Sequence, residues 1–246
     1  MLTEEYEVMY QVEDHHWWYR GMARITCGLL DQAVGRGRNL QVLDAGCGTG
    51  AAMNYLAAYG AVTGFDFSPH ALHFSRQRGH TRLAQASVMA APFAANTFDV
   101  IVSFDVISEA ATDDTQPLRE FTRLLKPGGH LLLRLPAYAW LRGRHDEAVA
   151  TLHRYTRPEI TRHVQRAGLT VKHTSYANTL LFPVAAAKRW SERFAPQAQA
   201  GSDLTLKPGP LNRVLQAILS AEAPLVRSIG LPFGLTVVAL AQKVDS

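Results

Sequence analysis

A loop of alternate glycines preceded by a carboxylate is the part of this sequence best suited to chemistry. An apolar run reaches Asp44, after which come Gly46, Gly48 and Gly50. Glycines let the backbone adopt positive φ angles and approach a ligand closely, and a helix that begins here offers unpaired N–H groups. A second carboxylate, Asp66, ends the next apolar run, 20 residues after Gly46. These features indicate a site for a ligand that contains a nucleoside.

Two ligand classes fit the glycine loop by itself. The spacing Gly46-x-Gly48-x-x-Ala51 also satisfies the dinucleotide pattern, in which a pyrophosphate lies over the turn. Asp44 favours a different ligand, because a carboxylate so close to the loop repels a pyrophosphate and attracts an ammonium group. Asp66 stands where a carboxylate accepts the ribose hydroxyls. S-adenosylmethionine, a nucleoside with a cationic amino-acid tail, offers an ammonium group to Asp44 and ribose hydroxyls to Asp66. The alternative is that both carboxylates only cap strand ends.

Alternating strands and helices must position this loop. The sequence predicts strands at residues 40–44, 61–65, 97–104, 130–135, 169–176 and 234–243. It predicts helices at residues 51–59, 69–78, 114–125 and 157–167, and a turn at residues 126–129. These assignments rest on hydrophobic periodicity and on Gly, Pro and Ser punctuation. Such alternation is typical of an α/β fold with a mainly parallel sheet and helices on both faces.

Two segments lie outside this alternation. Residues 1–38 are predicted to form an aromatic-rich helical arm or lid, and residues 39–178 with 232–246 the cofactor-binding core. Residues 179–231 form an insertion with predicted helices at 180–194 and 211–229, which Pro183 and Pro224 break or kink. We expect the insertion to pack on the sheet edge. The alternatives are a substrate lid, a dimer face and a membrane-surface helix.

Composition excludes several classes of protein. The 246 residues are 47% apolar and 19% charged, which excludes disordered, collagenous and coiled-coil chains. The net charge is +4, but the basic residues are scattered, so we expect no nucleic-acid partner. Cys27 and Cys47 cannot form a disulfide framework or a four-cysteine zinc site. The acidic N-terminus has no signal-peptide pattern, and no apolar run reaches the roughly 18 residues of a spanning helix. We expect a cytoplasmic protein in which peripheral membrane contact is possible.

The glycine loop and two later segments resemble the class I S-adenosylmethionine-dependent methyltransferases of the type-11/type-12 methyltransferase-domain group. The later segments are Ala91-Pro92-Phe93 with residues 97–101, and residues 124–133. The resemblance covers roughly residues 39–176 and the final strand. It implies a Rossmann-like, doubly wound, mostly parallel seven-stranded sheet. Residues 13–20, Glu-Asp-His-His-Trp-Trp-Tyr-Arg, are similar to a subgroup with an HWW-type N-terminal arm.

The resemblance also implies which residues hold S-adenosylmethionine and its product S-adenosylhomocysteine. Asp44 lies near the methionine amino group, Asp66 binds the ribose, and Ser87 replaces the acidic residue that the family usually places near the adenine amino group. The other expected contacts are Gly46, Cys47 and Gly48 at the methionine and ribose, Phe67 and Val88 at the adenine, Phe104 in the floor, Trp18 facing the sulfonium, and Arg20 at the methionine carboxylate.

The methyl acceptor is expected to be a small or medium-sized molecule that receives the methyl on an O or N atom. The candidate bases are His145, His153 and Glu109, each of which also fits a structural or binding role. Arg142, Arg144, Arg154 and Arg157 favour an acidic or phosphate-bearing acceptor, unless they form only a solvated loop. No metal site is expected, because no third ligand is suitably spaced after His15 and His16.

Two other functions compete with methyl transfer. One is a non-catalytic cofactor-binding module of the same fold. This alternative stays open because Ser87 stands in place of the family's usual acidic residue. The other is an NAD-dependent oxidoreductase, which Asp44 and the absence of a Tyr-x-x-x-Lys pair disfavour. The sequence leaves the oligomeric state open.

Overall fold

The computed structural model describes residues 3–109, 115–143, 146, 149–192 and 209–244. Seven strands form one sheet. They are β1 (Leu40–Ala45), β2 (Gly60–Asp66), β3 (Leu83–Gln85), β4 (Phe98–Phe104), β5 (Leu125–Pro136), β6 (Leu169–Ala177) and β7 (Thr236–Lys243). The helices are α1 (Thr3–Val12), α2 (Trp17–Ala33), α3 (Ala51–Leu56), α4 (Pro69–Gln77), α5 (Thr115–Leu124), α6 (Arg157–Arg166), α7 (Phe182–Glu192), α8 (Pro210–Ala221) and α9 (Ala223–Ser228). Two short 3₁₀ helices cover Ile107–Glu109 and Ala139–Leu141.

The order of strands in the sheet is β3-β2-β1-β4-β5-β7-β6. Strands β1 to β5 pair in parallel, whereas β7 runs antiparallel to both β5 and β6. The predicted α/β class with a mostly parallel seven-stranded sheet is therefore confirmed. Because the chain order reverses on either side of β1, the carboxyl ends of β1, β2 and β4 border a crevice where open α/β sheets bind ligands.

Helices cover both faces of this sheet. On one face, Leu43, Ile101 and Leu133 pack with Phe121 of α5 and Ile160 of α6. On the other, a second buried cluster joins the sheet to α2, α8 and α9; it includes Val42, Val102, Leu132, Met22, Leu219 and Val226. The insertion helices α8 and α9 thus contribute to the main core. This packing is on a face of the sheet together with α2, whereas the prediction placed the insertion on the sheet edge.

The start of β5 differs from the prediction of a turn at residues 126–129. Strand β5 begins at Leu125, which pairs with Phe98, and the next pair joins Val100 to His130. Four residues on β5 thus face a single one on β4. They bulge out of the strand, with Gly128 at a φ of 74° and the Lys126 Nζ 2.8 Å from both Asp99 carboxylate oxygens.

Prolines set the helix bounds in the insertion. Helix α7 begins at Phe182, two residues later than predicted, because Pro183 fits a first helical turn and not a later one. Pro224 marks the break between α8 and α9, as predicted. No helix within the described ranges is both long and apolar enough to cross a membrane.

The arm and the insertion are joined through Asn212 of α8. Its Oδ1 accepts a 2.9 Å hydrogen bond from the Trp17 N–H, and its Nδ2 donates a 2.8 Å hydrogen bond to the His15 carbonyl. The first turn of α2 is also capped by His16, whose Nδ1 accepts a hydrogen bond from the Trp18 N–H. The position of the His-Trp-Trp segment therefore depends on a residue almost 200 positions later in the chain.

We expect Asn212→Ala to lower the free energy of unfolding by about 1 to 2 kcal/mol, because two hydrogen bonds are lost. The expected site of loosening is the arm, which limited chymotrypsin digestion followed by mass spectrometry would detect near Trp17. Arg213→Ala, on the next and exposed residue of α8, is the matched control. Equal protection of the arm in both variants would contradict the assignment.

Candidate functional site

The period of two in a strand aligns three side chains of the central strands. Asp44 of β1, Phe104 of β4 and Arg134 of β5 all lie near strand carboxyl ends, and Phe104 pairs directly with Arg134. They share the face on which Val42, Val102 and Leu132 contact α2. All three border a cavity of about 1240 Å³ that the arm and the insertion also line. The structure thus brings the arm, the glycine loop and the insertion to one site.

The glycine loop is held by β2. The N–H groups of Gly46 and Cys47 both donate 2.9 Å hydrogen bonds to the Phe65 carbonyl. Gly46 has a φ of 80°, and a Cβ there would clash with Cγ2 of Val106. Only glycine meets both constraints, so its identity sets the path of the loop beside the cavity. Gly46, Cys47 and Gly48 all line this cavity, as the predicted cofactor contacts require.

Asp66 connects the glycine loop to the end of β2. Its Oδ2 accepts a 2.9 Å hydrogen bond from the Gly48 N–H, and its Oδ1 accepts one of 2.9 Å from the Ser68 N–H. A carboxylate offers about four lone-pair positions, so two remain for hydroxyl donors such as those of a ribose. Burial raises the pKa of Asp66, and the two backbone N–H groups oppose that rise.

Asp44 is 1% exposed, and its Oδ2 has no hydrogen-bond partner among the described residues. Burial raises the pKa of Asp44 to about 7; Arg134 lowers this pKa, while Asp66 and Glu13 raise it. A buried carboxylate without a partner is costly unless a positive or hydrogen-bonding group reaches it. The two carboxylates therefore fit a ligand whose ammonium group lies at the end of β1 and whose ribose lies at the end of β2.

The predicted adenine contacts border the same cavity. Phe67 is 75% exposed and lines it together with Val88 and Ser87. The Ser87 hydroxyl accepts a 3.2 Å hydrogen bond from the Met89 N–H, which shapes the turn after β3. Phe104 forms part of the wall next to Arg134. An exposed aromatic ring and a small polar side chain on one cavity suit a planar base held mainly by packing.

The arm reaches this site through a buried ionic contact. Glu13 accepts a hydrogen bond from the Thr49 hydroxyl and lies 3.3 Å from Arg78, which also binds Asp14 at 2.5 Å. Arg78 also donates to the Tyr10 carbonyl. Burial raises the pKa of Glu13 to about 7, opposed by Thr49 and Arg78. Glu13 and Arg78 thus hold the arm beside the loop that follows Gly48.

The tip of the arm supplies two of the predicted cofactor residues. Trp18 lines the cavity, and the cation nearest to its ring is Arg134, at 4.8 Å from the ring centroid. Arg20 also lines the cavity and is exposed. Sequence reasoning missed Arg134 and Glu13. The available signals were an arginine inside an otherwise apolar strand and an acidic pair directly before the His-Trp-Trp segment.

The predicted catalytic residues are placed differently. His145 lies outside the described residues, as does the side chain of Glu109. Within the described part of the chain, His153 is not one of the cavity-lining residues; its Nε2 lies 2.7 Å from Glu159 Oε1 on α6. Asp146, the residue directly after His145, is buried and accepts hydrogen bonds from Arg154 and the Gly143 N–H. The described geometry therefore does not bring His153 to the predicted cofactor residues.

The arginines predicted to favour an acidic acceptor lie in different environments. Arg154 lines the cavity, paired with Asp146 at 2.8 Å. Arg142 donates to the Leu152 and Thr151 carbonyls, and Arg157 to Thr174 and the Leu231 carbonyl. Arg144 lies outside the described residues. No group of three His, Cys, Asp or Glu residues in the described ranges is arranged to hold a metal ion.

Comparisons with known proteins identify the central part of the chain. Residues 43–133 match the methyltransferase domain family. The ubiquinone biosynthesis O-methyltransferase of Leptothrix cholodnii is 29% identical over 199 residues, which cover 65% of this chain and 80% of that protein. The demethylmenaquinone methyltransferase of Tropheryma whipplei is 33% identical over 129 residues, which cover 50% of this chain and 48% of that protein. The chain thus spans about half the length of the second relative.

Solved structures share the fold. A chain of the complex between the Haloferax volcanii Trm112 methyltransferase activator and a methyltransferase has a TM-score of 0.63, with 19% identity and 98% coverage of both chains. Geranyl diphosphate C-methyltransferase of Streptomyces coelicolor, in complex with Mg²⁺, geranyl diphosphate and S-adenosylhomocysteine, has a TM-score of 0.57 with 18% identity. That match covers 89% of this chain and 77% of the other.

The chain carries a methyltransferase domain at residues 43–133, which supports the predicted class I S-adenosylmethionine-dependent methyltransferase. The predicted family and enzyme class are confirmed, and a cofactor of the S-adenosylmethionine type follows from the family. The HWW-type subgroup, the individual site residues and the division into domains stay predictions.

We expect Gly46→Ala to weaken binding of S-adenosylhomocysteine to this methyltransferase by at least about 10-fold, since 1.4 kcal/mol corresponds to a factor of ten. The reason is the strained φ together with the clash at Val106. Isothermal titration calorimetry measures the affinity. Gly28→Ala is the control: the residue lies inside α2 with open space around it. It should raise the free energy of unfolding by up to about 1 kcal/mol and leave the affinity unchanged.

The raised pKa of Asp44 predicts opposite effects of pH on the stability and on the affinity of this methyltransferase. A folded-state pKa of about 7, against an ordinary 3.8, means that folding favours the protonated group. Its contribution to stability is therefore present below the ordinary pKa and lost as the pH rises through about 7. Binding of a ligand ammonium group needs the anion, so the affinity should rise over the same range.

Urea unfolding and calorimetry from about pH 5 to about pH 8 would test both effects. Asp44→Asn should flatten both pH dependences relative to the wild type. Glu13 has a similarly raised pKa, so some dependence of stability on pH should remain in the variant. Identical profiles for wild type and variant would rule out Asp44 as the titrating group.

Proposed function

We propose that this methyltransferase transfers the methyl group of S-adenosylmethionine, by in-line displacement, to an O or N atom of a small or medium-sized acceptor. The observation that carries the proposal is the pair of strand-end carboxylates, Asp44 and Asp66, on either side of a glycine loop that borders one large cavity. Its volume of about 1240 Å³ exceeds the roughly 300 to 1,000 Å³ of typical single-ligand sites. There is room for cofactor and acceptor together.

Each cofactor residue has a role that its position supports. When bound, S-adenosylmethionine supplies an electrophilic methyl group on a sulfonium. Asp44 balances the charge of the ammonium group, and Asp66 accepts hydrogen bonds from the ribose while it holds Gly48. Phe67, Ser87 and Val88 enclose the base. Trp18 and the arm cover the site. This cover aligns the reacting atoms and excludes water, which prevents hydrolysis of the cofactor.

The acceptor is proposed to combine an apolar body with an acidic group. The cavity wall away from the glycine loop carries the aliphatic side chains of Leu141, Leu181, Leu215 and Leu235. Arg154, Lys188 and Arg189 line it as well, and guanidinium groups suit carboxylate or phosphate. The names of the relatives, a ubiquinone biosynthesis O-methyltransferase and a demethylmenaquinone methyltransferase, agree with a largely apolar acceptor and, in the first case, with transfer to oxygen.

Deprotonation of the acceptor is the part of the reaction that the described side chains support least. His145 stays the candidate base on the loop after β5, at the carboxyl end of the sheet where acceptors approach. His153 is paired with Glu159. His16 borders the cavity, but its Nδ1 accepts the Trp18 N–H, so the proton of the neutral ring lies on Nε2. In that form His16 can donate a hydrogen bond through Nε2 but cannot accept a proton there.

We expect S-adenosylmethionine and S-adenosylhomocysteine to bind with a Kd of about 1 μM, or roughly 8 kcal/mol. Asp66→Ala should weaken this by at least about 1 kcal/mol, because a charge-assisted contact is lost. Asp31→Ala is the control, since Asp31 binds Arg36 on the exposed end of α2. Calorimetry measures both. Tight NADH binding with no S-adenosylmethionine binding would overturn the proposal in favour of an oxidoreductase. Cofactor binding without turnover in an acceptor screen would favour a binding module.

We expect Leu215→Trp to block the acceptor part of the cavity and leave the affinity for S-adenosylhomocysteine within about 2-fold of wild type, a difference under 0.5 kcal/mol. Leu215 lines the cavity, whereas Leu211, one helical turn earlier, is 60% exposed. Leu211→Trp is therefore the matched control. The assay is transfer of labelled methyl to a panel of phenols, carboxylates, phosphates and amines. Equal activity of the two variants on every productive acceptor would place the acceptor elsewhere.

A further inference from the structure

Arg134 occupies an unusual environment near the end of β5. Its side chain is almost buried, with the residue 9% exposed. The guanidinium carbon lies 4.4 Å from the centroid of Phe104 and 4.8 Å from that of Trp18. Both distances are within the range of cation–π attraction. Phe104 belongs to the sheet and Trp18 to the arm, so one cation contacts an aromatic ring of each.

The orientation of Arg134 is fixed by Asp105 at the end of the neighbouring strand. Its Nε and Nη2 both lie 3.1 Å from Asp105 Oδ2, and its carbonyl accepts a 2.7 Å hydrogen bond from the Asp105 N–H. Asp105 has a φ of 64°, and its carbonyl accepts a hydrogen bond from the Ser108 hydroxyl. Side chain and backbone contacts together tie the ends of β4 and β5 into one unit beneath the arm.

The charges around Arg134 are mainly acidic. Burial raises the pKa of Asp44 on β1 and of Glu13 and Tyr19 on the arm, and the positive charge of Arg134 opposes each rise. The other groups facing Asp44 are Asp66 and Glu13, and both act in the opposite direction. Arg134 is thus the cation that offsets a group of carboxylates around the site where the cofactor ammonium group is proposed to lie.

We propose that Arg134 is a positioning residue for the cofactor: its planar guanidinium docks Trp18 and the arm onto the sheet, and its charge balances Asp44 opposite the cofactor ammonium group. This inference rests on the proposed function. The two roles depend on different properties of the side chain. Stacking between Phe104 and Trp18 needs a flat delocalised cation, which lysine does not provide, whereas the charge balance needs only a cation.

Two substitutions separate these roles. Arg134→Gln removes the charge and the cation–π contacts, whereas Arg134→Lys keeps a charge and loses the stack. The measurements are the affinity for S-adenosylhomocysteine from about pH 6 to about pH 9, and chymotrypsin cleavage of the ligand-free arm near Trp18. Arg36 is the matched control residue, because it also pairs with an aspartate and lies 5.8 Å from the Tyr59 ring, in the exposed segment just after α2. The control variant is Arg36→Gln.

We expect Arg134→Gln to weaken binding by at least about 10-fold near pH 7. We also expect the rise of affinity with pH to move to higher pH, because loss of the cation raises the pKa of Asp44 further. Chymotrypsin should cleave the arm faster in both Arg134 variants than in the wild type. Arg134→Lys should nevertheless keep the wild-type pH profile of the affinity. Arg36→Gln should match the wild type in both measurements.

Several outcomes would overturn the inference. Wild-type affinity, pH profile and arm protection in both Arg134 variants would do so. A uniform loss of affinity at every pH, with the arm as protected as in the wild type, would reduce Arg134 to a structural residue. If Arg134→Gln does not fold, Arg134→Lys still tests the stacking role. If the wild type binds no S-adenosylhomocysteine, the proposed function fails, and cleavage of the ligand-free arm still decides whether Arg134 docks it.

Discussion

The burial of Asp44 at the end of β1 is the constraint on which the rest of the site depends. A carboxylate that is 1% exposed, with one oxygen lacking a partner among the described residues, is stable only if it binds a proton or faces a cation. Among the described residues, Arg134 is the cation that lowers the pKa of Asp44, while the acids Asp66 and Glu13 raise it. A ligand that brings a positive charge would relieve this repulsion, which is the reason that a ligand with an ammonium group is proposed for the site.

The arm extends the same electrostatic arrangement over the top of the sheet. Glu13 is buried against Thr49 and Arg78, while Trp18 lies over Arg134. The position of Trp17 is fixed in turn by Asn212 of the insertion. Arm and insertion are therefore parts of one wall of the cavity, although they lie at opposite ends of the sequence. A change in either is expected to alter both cofactor retention and acceptor access.

The part of the cavity that is proposed to hold the acceptor is formed by other segments of the chain. Its aliphatic wall and its cationic residues come from the loop after β5, from α7 and the residue before it, from α8, and from the residue before β7. All of these lie outside the methyltransferase domain match at residues 43–133. The family match therefore explains the cofactor and not the acceptor. One fold can carry many acceptor specificities in this way, because the chemistry of the cofactor stays fixed while surrounding segments vary.

The sequence by itself determined the alternation of strands and helices, the glycine loop and the two strand-end carboxylates, because each depends on residue types close together in the chain. Pro224 and Gly46 could be interpreted locally for the same reason. The tertiary structure alone decided that Arg134 contacts the rings of both Trp18 and Phe104, that Asn212 bonds to the arm, and that His153 pairs with Glu159 away from the cavity. Those contacts join distant segments, and helix packing and strand register, which no local pattern encodes, bring them together.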